Sequence, residues 1–134
     1  MTKSKNQEIR ILVVDDDSDA RDISAIILRQ QGAKVLQASS AREAIRLLSG
    51  SEGESRPDVL ISDIGMPDED GYSLIRHLRE QGCMIPAVAL TAFTSAEDRR
   101  RALDAGFQVH LAKPIEPNDL IKVIVRLTTR MAGQ

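Results

Sequence analysis

Cysteine is nearly absent from this chain: Cys83 stands alone among 134 residues. An intramolecular disulfide is thereby excluded, and so is a metal cage built from thiolates. Cys83 itself reads as a small, semi-buried residue. Aromatic rings are almost as scarce. Tyr72, Phe93 and Phe107 are the whole set and there is no tryptophan, so no platform exists on which successive bases could stack. A surplus of positive charge is missing too. The 18 basic residues are outnumbered by 20 acidic ones, for a net charge of −2. That argues against direct nucleic-acid binding through a global basic field. The densest basic cluster, Arg99-Arg100-Arg101, reads as a solvated helix face. No apolar run approaches the roughly 20 residues that span a bilayer. Met1 to Glu8 is polar, with neither the apolar core nor the cleavage site of a secretory signal. No membrane contact and a cytoplasmic location are therefore expected.

What is present is a strict alternation of two periodicities. The length suits one domain, expected over residues 9–130, with a polar tail at 1–8 and a short one at 131–134. Ile9 to Asp15 is a short Val- and Ile-rich run that reads as a buried strand. Asp19 to Gln31 follows as a helix, with Ile23, Ile26 and Ile27 spaced as its apolar face and Gly32 at the stop. Lys34 to Ala38 is a second strand. Ser40-Ala41-Arg42-Glu43 fits a capping box, and Ala44, Ile45 and Leu48 continue that helix's stripe. Gly50 to Pro57 is a polar loop. Asp58 to Asp63 is the third strand, and Gly65 to Gly71 is turn chemistry throughout. Tyr72 to Gln81 is a helix with Tyr72, Ile75 and Leu78 inward. Ile85 to Thr91 is the fourth strand. Ser95 caps a helix that runs to Ala105 and stops at Gly106. Phe107 to Leu111 is the fifth strand. Pro117 opens a last helix whose stripe is Leu120, Ile121, Ile124 and Leu127. Five strand–helix units in a row imply an α/β fold with a parallel sheet covered on both faces by helices.

In such a sheet, the loops after the carboxyl ends of the strands converge where the strand order reverses. The polar residues collect at those ends. Asp15, Asp16 and Asp17 end strand one, Asp63 ends strand three, Thr91 ends strand four, and Lys113 follows strand five. In the flavodoxin-like order 2-1-3-4-5, strands one and three are neighbours, so Asp15, Asp16 and Asp63 meet. Converging carboxylates repel, and a divalent cation is the usual remedy. Magnesium takes one or two carboxylates, with water and phosphate oxygens for the rest. Helix capping accounts for Asp17 or Asp19, but not for Asp63 or for a lysine after the last strand. The set suits phosphoryl transfer to a carboxylate. Aspartate is the nucleophile, a cation neutralises phosphoryl oxygens, and lysine and a threonine hydroxyl supply further contacts.

At this point the chain resembles the receiver domains of two-component response regulators. The segments that carry the resemblance are ILVVDDD (Ile11 to Asp17), DVLISDIGMPDEDG (Asp58 to Gly71), ALTAF (Ala89 to Phe93) and LAKPIEP (Leu111 to Pro117). They lie in the family's order and spacing, from about Arg10 to Thr128. The resemblance implies that Asp63 is the phosphoacceptor. It makes Asp16 a direct Mg2+ (or Mn2+) ligand with Asp15 beside it, and the Gly65 backbone carbonyl part of the metal shell. It implies that Thr91 and Lys113 contact the phosphoryl group and that the Lys113–Pro114 peptide is cis. It also implies a histidine kinase or histidine phosphotransfer domain as partner. The switching surface would be helix four, strand five and helix five, open to a downstream protein or a second copy. One departure stands out. The family places Tyr or Phe three residues before the lysine, and this chain has His110, which fits either plain packing on strand five or a switch role beside Thr91. In the family the positions of Gly65 and Phe93 tune phosphoryl lifetime, and the resemblance implies that a small Gly65 leaves the site open to water, with a lifetime not strongly prolonged. Neither His77 nor His110 lies in a phosphotransfer-helix context, so the donor histidine belongs elsewhere. With no DNA-binding or catalytic segment among the residues after the last helix, the protein is expected either to act alone by docking or to be one domain of a longer chain. The stretch AGFQVHLAKPIEP points to a receiver of a hybrid sensor histidine kinase, with a stand-alone regulator as the other possibility.

Three rivals share some of these features. A haloacid-dehalogenase-type phosphatase would use Asp15-Asp16-Asp17-Ser18-Asp19, but Asp19 stands where Thr or Val is expected. A nucleotide or flavin carrier would have a glycine-rich turn after strand one, where this chain is acidic. A calcium loop starting at Asp15 would need Gly at Ala20 and Glu at Ile26.

Overall fold

A computed structural model of the protein describes residues 2–4, 7–50, 56–66, 70–92 and 95–132. Most of the polar loop at 50–57, the middle of the turn at 65–71 and Phe93 lie outside these residues. Five strands form one sheet: β1 (Arg10–Val14), β2 (Lys34–Ala38), β3 (Val59–Asp63), β4 (Ala87–Thr91) and β5 (Val109–Ala112). Their order is β2-β1-β3-β4-β5 and every pairing is parallel, as the alternation of elements requires. Ahead of the sheet, within the stretch read as a polar tail, Thr2–Ser4 pairs antiparallel with Gln7–Glu8.

Side chains alternate across the pleat, so each inner strand feeds two cores. On one face Ile11, Val13, Ile61, Val88 and Leu90 pack with Leu28 of α1 (Ser18–Gln30) and with Leu120, Ile124 and Leu127 of α5 (Pro117–Ala132). On the other face Leu12, Val14, Leu60 and Ala89 meet α2 (Ala41–Ser49), α3 (Gly71–Glu80) and α4 (Ala96–Ala105). β3 and β4 are buried at every position, which explains their unbroken apolar character. β2 lies at an edge and alternates between exposed and half-buried residues until Ala38.

Local chemistry sets the helix ends. Asp17 caps α1, its carboxylate accepting from Asp19 N at 3.0 Å and from Ala20 N. Ser40, Asp70 and Ser95 cap α2, α3 and α4 in the same way. The capping box at α2 is shifted by one residue on its return arm. Glu43 accepts from Ser39 N at 2.6 Å, ahead of the Ser40 cap. Gly106 ends α4 at φ 128°, a conformation that favours glycine.

One expectation fails. Ile23 and Ile26 are 56% and 54% exposed, and Ile27 is only partly buried. α1 instead buries Ser24, Ala25 and Leu28, with Arg21 half-buried on the same stripe. The helix is anchored at its start by the Asp17 cap and near its end by Leu28, and that fixes its rotation. The small residues at 24 and 25 then let it approach the sheet closely, and the isoleucines are left outside. The basic run on α4 also does more than face water. Arg101 places its guanidinium 4.2 Å from the centre of the Tyr72 ring.

At the end of the sheet away from the acidic loops, Arg79 joins three connections. Its Nε and Nη2 donate to the Gly106 carbonyl at 3.2 and 2.8 Å. Its Nη1 donates to the Cys83 carbonyl at 2.9 Å. Nη2 also reaches Gln108 Oε1, which accepts from Ala87 N. Burial pushes the Arg79 pKa down, yet the guanidinium remains charged.

The orientation of α1 predicts opposite responses to two substitutions on the same helix. Leu28→Ala should cost about 3 kcal/mol in urea unfolding, because it opens a cavity between α1 and the sheet. Ile26→Ser should change stability by no more than about 0.5 kcal/mol. Equal losses at both positions would mean that the helix is rotated from the orientation described.

Candidate functional site

The site follows from the strand order. Because β1 and β3 are adjacent, with Val14 opposite Ser62, the residues at their carboxyl ends converge. Asp63 is the last residue of β3 and is 7% exposed. Asp15 follows β1, is 2% exposed, and is tied to the sheet by its own N–H, which donates to the Ala38 carbonyl at 3.1 Å. Asp16 is exposed. One carboxylate oxygen from each of Asp15, Asp16 and Asp63 lies within 4.8 Å of the others. The floor beneath Asp63 admits only glycine. A Cβ on Gly71 would lie 2.6 Å from the Asp63 carbonyl oxygen and 2.9 Å from Ile64 Cα. This lets the start of α3 close onto the end of β3, with Gly71 N donating to Ile64 O.

Lys113 enters from beyond β5. Its backbone N donates to the Thr91 carbonyl at 2.9 Å, and the bond to Pro114 is cis. Its Nζ lies 2.9 Å from Asp15 Oδ2 and 3.2 Å from Asp63 Oδ1. The other oxygen of Asp15, Oδ1, accepts from Asp17 N. Burial and the negative charge of Asp15 raise the Asp63 pKa. The Lys113 ammonium and a hydrogen bond from the Gly65 backbone oppose them without cancelling them. Burial disfavours the Lys113 charge, but the hydrogen bond to Asp15 and the charges of Asp63 and Asp15 outweigh it, so its pKa is raised.

The residues singled out in the sequence therefore come together, with differences in detail. Thr91 is buried at the end of β4. Gly65 follows Asp63 by two residues, and its backbone N–H acts to lower the Asp63 pKa. His110 lies on β5 opposite Ala89, half-buried, with its Nε2 enclosed and lacking a hydrogen-bond partner. Asp17, not Asp19, is the helix cap. Two contributors were missed in the sequence. Arg21 Nη1 donates to the Asp15 carbonyl at 2.8 Å, and its Nε donates to Gln37 Oε1 at 3.3 Å. The available signal was a charged residue in phase with Ser24, Ala25 and Leu28, the buried stripe of α1.

Three carboxylates and no softer donor make a ligand set that suits a hard, oxygen-preferring divalent cation. Beside them stand a buried hydroxyl and an ammonium that already bridges two of the carboxylates.

The comparisons with known proteins agree with this geometry. Residues 11–125 match the family model described as the response regulator receiver domain. The chain belongs to that family. It is 44% identical over 119 residues to an uncharacterised 14.6 kDa protein of Leptolyngbya boryana, covering 87% of this chain and 88% of the relative. It is 36% identical over 121 residues to the response regulator SaeR of Staphylococcus aureus, covering 90% of this chain and 51% of SaeR. It thus spans about half of that longer relative. Among solved structures, the receiver domain of the Francisella response regulator 1452 superposes with a TM-score of 0.85 at 29% identity, covering 92% of this chain and 98% of that one. The signal receiver domain of a signal transduction histidine kinase from Syntrophus aciditrophicus gives 0.80 at 34% identity, covering 90% and 89%.

The raised Asp63 pKa has a consequence for stability. A carboxyl group whose pKa is higher folded than unfolded stabilises the fold fully below its ordinary value of 3.8. That contribution is lost as pH rises through the folded value. At pH values above that folded value, in EDTA, the ionised Asp63 thus works against folding. Asp63→Asn should raise the melting temperature under those conditions, and the gain should vanish in acid where Asp63 is protonated. A lower melting temperature for the variant at pH 7 would contradict the direction of the shift.

Proposed function

We propose that this receiver accepts a phosphoryl group from the phosphohistidine of a histidine kinase or a histidine phosphotransfer domain onto Asp63, in a Mg2+-dependent reaction. The observation that carries this reading is the convergence of Asp15, Asp16 and Asp63 with the Lys113 ammonium at the carboxyl edge of the sheet. Asp63 Oδ attacks phosphorus and the N–P bond breaks. The electron pair returns to the imidazole nitrogen of the donor. Asp15, Asp16, Asp63 and the Gly65 carbonyl would hold Mg2+ (or Mn2+), which supplies charge neutralisation for the phosphoryl oxygens. Lys113 offers its ammonium to a phosphoryl oxygen and Thr91 its hydroxyl to another. In this reading the chain is a signalling domain that catalyses only its own phosphorylation and dephosphorylation.

The added charge draws Thr91 toward the phosphoryl group and biases the surface of α4, β5 and α5 between two states. The enclosed, unpartnered His110 Nε2 supports a part for His110 in that switch, because a rearrangement around Thr91 can give it a hydrogen bond. The functional unit is residues 9–130, acting in the cytoplasm. Likeness to the receiver of a histidine kinase supports a place in a hybrid sensor kinase. Coverage of 88% of the 14.6 kDa relative supports a stand-alone regulator. The phosphoryl chemistry is the same in both settings.

Intact mass spectrometry after incubation with acetyl phosphate and magnesium tests the reaction. Wild type should gain one phosphoryl group, and the gain should be absent in EDTA and absent in Asp63→Asn. Catalytic turnover of small phosphate esters, without stoichiometric labelling of Asp63, would replace this reading with a phosphatase.

A further inference from the structure

We infer that Arg21 is a positioning residue for the metal-binding carboxylates, acting through the Asp15 carbonyl and braced by Gln37. The inference rests on the Mg2+-dependent reading above. Three observations lead to it. Arg21 occupies the buried stripe of α1 that also carries Ser24, Ala25 and Leu28, a place where an unpaired cation would be costly. Its guanidinium makes no ion pair with the aspartates among the described residues. It donates instead to the backbone carbonyl of Asp15, 2.8 Å from Nη1. Its Nε is held by Gln37 Oε1 at 3.3 Å, on the neighbouring strand β2.

The carbonyl of Asp15 belongs to the peptide that joins Asp15 to Asp16. Holding that oxygen fixes the plane of the peptide, and with it the direction in which Asp16 leaves the chain. The remaining bonds of the loop do not do this. The Asp15 N–H is bound to Ala38, and its side-chain oxygens are bound to Asp17 N and Lys113. Asp16 is the exposed member of the carboxylate set; the peptide after it is held by Asp17 N on Asp15 Oδ1, and the peptide before it by Arg21. A planar fork with two donors pointing in different directions can span both partners, whereas the single ammonium of lysine cannot reproduce that geometry.

Electrostatics alone predicts the opposite outcome, which makes the inference testable. A guanidinium bound at the Asp15 carbonyl adds positive charge on the side of the carboxylate set and competes with a divalent cation, so on charge alone removing it should tighten metal binding. If Arg21 orients the peptide, removing it should weaken binding. The experiment is a titration of the whole chain with MgCl2, followed by the amide resonances of residues 15–17. It would compare wild type, Arg21→Ala, Arg21→Lys and Gln37→Ala. Arg21→Ala should raise the Mg2+ dissociation constant about tenfold, the scale seen when a residue supporting a metal ligand is lost. Arg21→Lys should not restore it. Gln37→Ala, at a half-exposed position on an edge strand, should move the constant the same way by less, and it keeps the test open if Arg21→Ala fails to fold. The rate of labelling by acetyl phosphate at saturating magnesium should stay close to wild type in the folded variants, while its magnesium half-saturation point shifts. An unchanged or lower dissociation constant in Arg21→Ala and Gln37→Ala would overturn the inference. So would a lower saturating rate with no shift in half-saturation. Failure of wild type itself to bind Mg2+ would instead remove the underlying reading, and the inference with it.

Discussion

Everything at the functional end of this protein depends on keeping acidic side chains together that repel one another. The parallel sheet brings Asp15 and Asp63 to one edge because β1 and β3 are neighbours, and burial makes their charges harder to carry. The Lys113 ammonium within 3.2 Å of both answers this repulsion among the described groups. It answers it incompletely, since the Asp63 pKa remains raised. Added positive charge at such a site lowers the repulsion among its carboxylates. The fold thus stores an unfavourable electrostatic arrangement that a cation can relieve, and the packing of two hydrophobic layers makes the arrangement affordable.

The two ends of the sheet are built differently. At the carboxyl end, carboxylate oxygens of Asp15, Asp16 and Asp63 are held within 4.8 Å of one another. At the other end a single guanidinium, Arg79, gathers the carbonyls of Gly106 and Cys83 and the Gln108 side chain. That end satisfies its polar groups internally. The contrast explains why the loops at one end are rich in aspartate and those at the other end are closed by glycine and arginine.

Much of this was legible in the sequence, for identifiable reasons. β2 ran from Lys34 to Ala38 as read, because turn residues bound it on both sides. The caps at Ser40 and Ser95 and the stop at Gly106 are local chemistry, independent of distant packing. The meeting of Asp15, Asp16 and Asp63 followed from topology, since the order β2-β1-β3-β4-β5 puts their strands side by side. What escaped was whatever depended on rotation or on distant partners. Three isoleucines in α1 form a helical face, but periodicity cannot say whether that face or the one through Leu28 meets the sheet. The bond from Arg21 to Gln37 joins residues 16 apart across two elements, and no local pattern encodes it. His110 was visible as a departure from the family's aromatic residue. That its Nε2 is enclosed without a partner is a property of packing alone.

The position of Gln37 has a further consequence. β2 is one of the two outer strands of the sheet, paired only with β1 among the described residues. Edge strands open more readily than central ones, and their amides exchange with solvent earlier. A brace that runs from this strand through Arg21 to the Asp15 carbonyl joins the acidic loop to one of the least protected parts of the sheet. Whatever binds the ordered loop in preference to the opened one draws that equilibrium toward closure. Occupancy at the carboxyl edge would then slow hydrogen exchange along β2, a strand that contributes no ligand to the site.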